Sequence, residues 1–376
     1  MKRRSFLALM GGGTIIAATA TAGVIASRSP RTALLPWEAV GTQYSDPRKR
    51  ALAWAILAPN PHNRQPWMVD LSTPDEATLY VDTQKMLPHT DPFNRQITIG
   101  LGCFIEMARM AAAQDGIAMT ADLFPEGSDD AALDTRPVAV LRFGGQAQAD
   151  PLFAAALARR SVKEPYDEGK PVSPAVLAQV LAAARQTEAA GSVAADDIAE
   201  LRELTREALR IEIETPRTYR ESVDLFRVGA KAVDASPDGI DFTGAFFELL
   251  HVAGQMDREV LLDTTSTAYR AGLDAVFVNT DTAMGHLWQV TQGNTRADQI
   301  AAGLDWLRLH LAATRAGLAM QPLSQALQEY AEMAALYADV HARLARGGGT
   351  VQMLARIGYA ADVAPSARWP LEAKLL

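Results

Sequence analysis

Two stretches of this chain, residues 97 to 117 (ITIGLGCFIEMARMAAAQDGI) and residues 300 to 316 (IAAGLDWLRLHLAATRA), carry apolar or small residues around most of the helical circumference. A helix with almost no wet face has to be surrounded, so each stretch predicts a buried, centrally packed helix. Gly100, Gly102 and many alanines allow other backbone to approach the first of them closely. The two also finish alike. LGCFIEMARMAAAQDGIAM and LDWLRLHLAATRAGLAM both run out in glycine, an aliphatic residue and Ala-Met, which points to an internal duplication with one buried helix per half.

Around these helices the patterning is mixed α and β. Residues 46 to 58 predict a helix that starts at Asp46, with Pro47 in its first turn and Asn60-Pro61 beyond its end. WMVDLS and ATLYVD alternate apolar and polar residues as half-buried strands do, with TPDE as the turn between them. PVAVLRF (137–143) and VQMLARIGYA, after the glycines at 347–349, read as further strands. Residues 193 to 260 are mostly helical patterns broken at Pro237-Asp238-Gly239. Between the first helix and the first strand lies LAPNPHNRQPW (57–67), a stiff polar loop with three prolines.

Of the 376 residues, 48% are hydrophobic, enough for a sizeable core. A net charge of −8 and a pI near 5.4 offer no field to a polyanion, so nucleic acid is not an expected partner. Cys103 is the sole cysteine, which excludes an intrachain disulfide and CxxC sites. Six scattered histidines give no metal-ligand spacing, and no metal is expected. GxGxxG after a strand, GxxxxGK[ST], GxSxG and HExxH are all missing, so dinucleotide-fold, phosphate-loop and hydrolase readings have no anchor.

The chain opens MKRRSFLALM, with Arg3-Arg4 ahead of a run rich in Gly, Ala and Thr, and this resembles a twin-arginine (Tat) export signal. Val24 and Ala26 suit a cut after Ala26; retention of the same run as an anchor is the alternative. Loss of Lys2, Arg3 and Arg4 would take the net charge from −8 to −11. Periplasmic location is expected, with the Tat machinery as a partner and membrane contact only if the leader is kept. Because this route exports folded proteins, often around a cofactor loaded beforehand, it also raises the expectation of a bound cofactor.

Three segments together resemble the nitroreductase family of flavin-dependent oxidoreductases, most closely its single-chain, two-repeat Acg-like branch. Pro59-Asn60-Pro61-His62-Asn63-Arg64-Gln65-Pro66-Trp67 is similar to that family's APSxxNxQPW loop. Arg159-Arg160-Ser161-Val162-Lys163 is similar to its RxSxR or RxSxK segment, and Pro365-Ser366-Ala367-Arg368 to its PxxR stretch. The resemblance implies an α+β nitroreductase fold duplicated within one chain, an internal pseudo-dimer that is helix-rich with mixed sheets. It divides the chain into a leader (1–26), a first half (27–150) and a second half (151–376), with 219–250 as a flavin-covering segment. Tyr166, Asp167 and Gly169 would shape the turn after RRSVK.

It further implies FMN as cofactor. Arg159, Ser161 and Arg368 would take its phosphate, which favours guanidinium forks and hydroxyls, with Arg160 as a further cofactor-binding residue of the same segment. Lys163 would lie towards the N1 and O2 edge of the ring, and Asn60 and Asn63, with Pro61, His62 and Gln65 in the same loop, towards the ribityl chain. His62 reads on its own as a turn histidine with a backbone hydrogen bond. Pro322, Leu323 and Ser324 match the segment that passes the flavin N5 edge. No side chain is needed as a catalytic acid, because the flavin carries the chemistry. The loop occurs once and RRSVK once, so one functional site per chain is expected, in a monomer that acts as its own dimer. The implied reaction is ping-pong transfer from a small reduced donor to an acceptor such as a nitroaromatic or quinone; storage of FMN without turnover is the alternative.

Overall fold

The computed structural model describes residues 29–376 apart from Ala39, so the leader lies outside the described residues. In the first half, α1 (Pro47–Ala55) begins where Asp46 accepts a hydrogen bond from the Arg48 N–H at 2.8 Å, with Pro47 at its first position. There follow β1 (Trp67–Asp70), β2 (Glu76–Val81), α2 (Arg95–Gln114), β3 (Ile117–Leu123) and β4 (Ala139–Gln146). The strands form one antiparallel sheet in the order β1-β2-β4-β3.

The second half repeats this order with additions. α3 (Pro174–Leu181) and β5 (Glu188–Ser192) lead into an insertion made of α4 (Ala195–Glu214), α5 (Pro216–Asp224), β6 (Phe226–Val228), α6 (Ala230–Ala235), β7 (Ile240–Phe242), α7 (Ala245–Val252), α8 (Arg258–Leu262) and α9 (Thr267–Asp281). Then come β8 (His286–Thr291), α10 (Arg296–Arg315), β9 (Ala319–Pro322), α11 (Ala334–Leu344) and β10 (Thr350–Gly358). The second sheet runs β5-β8-β10-β9, the counterpart of the first strand for strand. All pairing in both sheets is antiparallel, which corrects the expectation of mixed sheets; parallel pairing is confined to β6 with β7 and to two isolated bridges.

The buried helices α2 and α10 meet at their glycines. A Cβ on Gly303 would sit 2.1 Å from the Ile99 carbonyl oxygen, and one on Gly102 would sit 2.4 Å from that of Ile300. Only hydrogen fits at either place. The first residue of each helix then reaches into the opposite half. Arg95 donates to the carbonyls of Gln352 and Leu327, each at 2.6 Å, and Arg296 donates to those of Asp129 and Asp130 at 3.0 and 3.1 Å. One hydrophobic core, including Trp67, Phe104, Trp306, Leu309 and Ile357, runs through both halves. The halves are therefore topological repeats that share an interior.

Strands β5, β8 and β9 escape the sequence patterning for physical reasons. β8 is buried at five of its six positions and so does not alternate, while β5 and β9 are short. Among the described residues no helix is long and apolar enough to cross a membrane.

Replacing Gly303 with alanine presses a methyl group against backbone that no rotamer change can move, and it should lower unfolding stability by at least about 2 kcal/mol. Gly272→Ala is the control. Gly272 lies in α9 with open space at its Cβ position and should gain about 0.5–1 kcal/mol as alanine. Urea unfolding of the two variants checks both signs.

Candidate functional site

The loop between α1 and β1 is strained and strongly held. His62, Asn63 and Gln65 have φ of 47°, 52° and 50°, the left-handed region that side chains other than glycine rarely adopt. Their neighbours over-determine it. Asn60 Oδ1 accepts from the Gln65 N–H at 2.7 Å, Asn63 Nδ2 donates to the Ala367 carbonyl at 3.0 Å, and Gln65 Nε2 donates to that of Pro237 at 2.6 Å. The Gln65 side-chain oxygen accepts from the Trp369 N–H and its carbonyl from Lys374 Nζ, each at 2.9 Å. Gly100 of α2 lets the loop lie flat, since a Cβ there would come within 3.1 Å of Asn60 Cβ and 3.2 Å of Pro61 Cδ. Asn60, Asn63 and Gln65 thus have amide groups engaged in holding the loop against the C-terminal arm and the insertion.

Residues 159–163 come up against this loop from the other side. Arg159 Nη2 donates to the Leu57 carbonyl at 2.9 Å, and Arg368 Nη2 donates to those of Leu57 and Ala58, both at 3.2 Å. These carbonyls lie just past the C-terminal end of α1, where the helix leaves acceptors unsatisfied and favours cations. Arg368 Nη1 reaches Asn63 Oδ1 at 2.6 Å, and Arg160 Nη1 donates to the Leu157 and Arg159 carbonyls at 2.7 Å.

Three features give this region an excess of positive charge. The Nε atoms of Arg159, Arg160 and Arg368 are all buried without a hydrogen-bond partner. Neither those arginines nor Lys163 has a carboxylate within ion-pair distance among the described residues. Burial, then the like charge of a neighbouring arginine, pushes the Arg159 pKa down to about 10 and that of Arg368 down to about 9. Concentrated buried charge of one sign is costly unless something opposite approaches it.

Ser161 pairs with Met320 in a parallel bridge, and the Val162 N–H donates to the Met320 carbonyl at 3.0 Å. That contact joins the RRSVK segment to the strand β9 that ends at Pro322. The Leu323 N–H is bound by Leu354, whereas Ser324 opens a 3₁₀ turn and its N–H has no partner within that turn. Arg356 of β10 fixes the geometry. It donates to Gln321 Oε1 at 2.6 Å and to the Glu164 carbonyl at 2.8 Å, and its guanidinium lies 3.7 Å from the Tyr166 ring centroid. Sequence reasoning missed Arg356, although a lone charge in the apolar strand VQMLARIGYA is the signal that could have found it. The turn after RRSVK forms as expected, with Asp167 Oδ1 accepting from the Gly169 N–H at 3.0 Å.

Lys163 is exposed to solvent, and desolvation by the surrounding protein lowers its pKa. Asp241 and Glu212 of the insertion are the opposing charges. His62 lies near Lys163: burial, then Lys163 and Arg64, push its pKa down to about 4, so it is neutral near pH 7. Its Nδ1 is buried without a partner, so the expected backbone hydrogen bond is not formed by that atom. Glu212 is driven up to about 7 by burial, with Gln328 Nε2 donating to it at 2.5 Å.

The insertion closes over the loop at Pro237-Asp238-Gly239. The Gly239 N–H donates to the Asn63 carbonyl at 3.1 Å, and the buried Asp238 carboxylate takes Lys85 Nζ at 2.6 Å and Arg64 Nη1 at 3.1 Å. The counterpart loop in the second half, between α3 and β5, is closed differently. The backbone N–H groups of Arg185, Gln186 and Thr187 all donate to the buried Asp305 of α10, at 2.9, 2.7 and 2.8 Å. A protein carboxylate therefore occupies those amides. A cavity of about 480 Å³ lies elsewhere, among Val223, Phe226, Val228, Met256 and Leu261.

Burial alone would raise the Asp238 pKa, but Lys85, Ser236 and Arg64 together hold it below the ordinary value of 3.8. Its contribution to closure is therefore complete above that value and is lost as pH falls through the lower folded value. Asp238→Ala should expose 219–250 to limited proteolysis at neutral pH and cost about 3 kcal/mol, because Arg64 is left buried and unpaired. Wild type should become equally cleavable only in acid.

No protein-family model matches the chain. Its curated relatives include the protein named "Putative NAD(P)H nitroreductase acg" from two strains of Mycobacterium tuberculosis, CDC 1551 / Oshkosh and ATCC 25618 / H37Rv. Each is 28% identical over 330 residues, which is 85% of this chain and 91% of the relative. Among solved structures, a nitroreductase with bound FMN from Bacteroides fragilis is 14% identical at a TM-score of 0.34, over 57% of this chain and 91% of its own. The FMN-dependent nitroreductase NfnB from Mycobacterium smegmatis, solved in complex with NADPH, is 20% identical at 0.33, over 56% and 90%. At such TM-scores no residue can be carried from those structures to this one. It is by sequence, over most of both lengths, that the chain is similar to the mycobacterial acg nitroreductase relatives.

Proposed function

We propose that this chain is an FMN-dependent oxidoreductase with one cofactor site, formed where the Asn60–Gln65 loop, Arg159–Lys163, Pro322–Ser324 and Arg368 converge. The observation that carries this reading is the group of three arginines, two of them buried and one half-buried, whose Nε atoms are all buried without a partner and which have no carboxylate within ion-pair distance. A phosphate monoester with nearly two negative charges fits such a group, and the Ser161 hydroxyl adds a donor. The sequence relatives, named as NAD(P)H nitroreductases, agree with it.

Bound FMN would supply reversible hydride and electron transfer between a small reduced donor and an acceptor such as a nitroaromatic or quinone. The chain's own part is to bind and tune. Arg159, Arg160 and Arg368 would take the phosphate, and Lys163 would stabilise negative charge on the cofactor. The Ser324 N–H, without a partner in its own turn, would be a further donor, and His62 is neutral near pH 7. We read the two halves as an internal duplication that acts as a pseudo-dimer within a monomer. Its second site is lost because Asp305 fills the second loop. The Tat-like leader supports export to the periplasm, with membrane attachment only if it is retained.

The closure of residues 237–239 over the loop favours one alternative, storage of FMN without turnover. The purified protein should be yellow, absorbing near about 450 nm as oxidised flavins do. Colourless protein that takes up no added FMN would remove both readings. After anaerobic reduction, reoxidation by a nitroaromatic or quinone supports turnover; no reoxidation by any acceptor supports storage. Arg159→Ala should weaken FMN binding by about 1.5–3 kcal/mol, the worth of a charge-assisted contact, as read by flavin titration.

A further inference from the structure

The first described stretch of the chain crosses the arginine group as a strap. At one end the backbone N–H groups of Arg31 and Ala33 donate to the carboxylate of Asp234, in α6 of the insertion, at 3.0 Å. The Ala33 carbonyl accepts from the Arg368 N–H at 2.9 Å, and Ala33, Val233 and Ala367 bury one another almost completely. Four residues on, Trp37 Nε1 donates to the Ser366 carbonyl at 2.9 Å. The Trp37 ring centroid lies 4.8 Å from the Arg160 guanidinium carbon and 5.5 Å from that of Arg368, and only 8% of the residue is exposed.

An aromatic face is an unusual neighbour for two like-charged groups, and its chemistry suits an anion site. A carboxylate there would pair with the arginines and cancel their charge. The indole attracts each cation through its quadrupole, restricts its rotamers and leaves the full positive charge for a ligand. Arg160 and Arg368 are also held by carbonyls on the protein side, so the groups left over are their unpartnered Nε atoms.

We propose that the strap Arg31–Trp37 clamps the phosphate end of the cofactor site, with Trp37 as the residue that positions Arg160 and Arg368 for the anion. This rests on the FMN reading above. The strap joins the insertion to the C-terminal arm, so the ligand leaves by that end only when the strap lifts.

The test compares FMN with riboflavin, which lacks the phosphate, on the full chain. Trp37→Ala should lower FMN affinity about tenfold, in the range of a desolvated cation–π contact, and leave riboflavin affinity unchanged. Trp37→Phe, which keeps a ring, should recover most of the loss. Asp234→Asn, at the far anchor, should speed FMN release on dilution without altering riboflavin release. An equal loss for both flavins, or no loss for either, overturns the proposal. If wild type takes up neither flavin, the functional reading fails by itself and the strap is judged with inorganic phosphate. Phosphate should then raise the thermal midpoint of wild type but not of Trp37→Ala, and an equal rise, or none in wild type, overturns the clamp.

Discussion

The contact between α2 and α10 at Gly102 and Gly303 sets the rest of the molecule. Two backbones come so close there that a single methyl group would strike a carbonyl oxygen, and the two sheets are carried on either side of that crossing. Arg95 and Arg296 then tie each helix start to carbonyls of the other half. With both halves fixed to one axis, the end of α1 in the first half and residues 159–163 in the second meet at a defined distance. The candidate site is a consequence of that meeting and has no separate scaffold.

Electrostatics follow the same logic of shared positions. Some buried charges are paired: Asp238 with Arg64 and Lys85, and Arg308 with Glu106 and Asp150. Arg296 and Arg356 are held by carbonyls and side-chain oxygens instead, and Arg159, Arg160 and Arg368 likewise have no carboxylate partner. These last three rest on carbonyls and an indole, which hold direction without removing charge. The left-handed turns at His62, Asn63 and Gln65 are tolerated for a related reason. Asn63 and Gln65 are braced by hydrogen bonds from elements distant in sequence, so local strain is held by tertiary structure.

Much of the frame was legible in the sequence because it rests on local signals. The Asp46-Pro47 start, the alternation in β1 and β2 and the two wet-faceless helices each read correctly, and Arg159 and Arg368 both donate to the Leu57 carbonyl, just ahead of the PNPHNRQPW loop. What stayed hidden depends on partners. β8 shows no alternation because both faces are covered, and Trp37 and Arg356 belong to no motif; their positions become meaningful only when Arg160, Arg368 and Glu164 stand beside them. Asn60 and Asn63, which the resemblance puts towards the ribityl chain, also make hydrogen bonds within the protein that depend on the loop's geometry.

The carbonyl oxygen of Leu57 accepts from both Arg159 and Arg368, residues that come from the start of the second half and from the C-terminal arm. A junction closed by such remote partners has high contact order, and closing it costs more chain entropy than a local contact does. Ligand capture there would report on assembly of the chain as a whole. A molecule with one half collapsed and the other still open would lack either the Leu57 carbonyl or the two arginines that meet there.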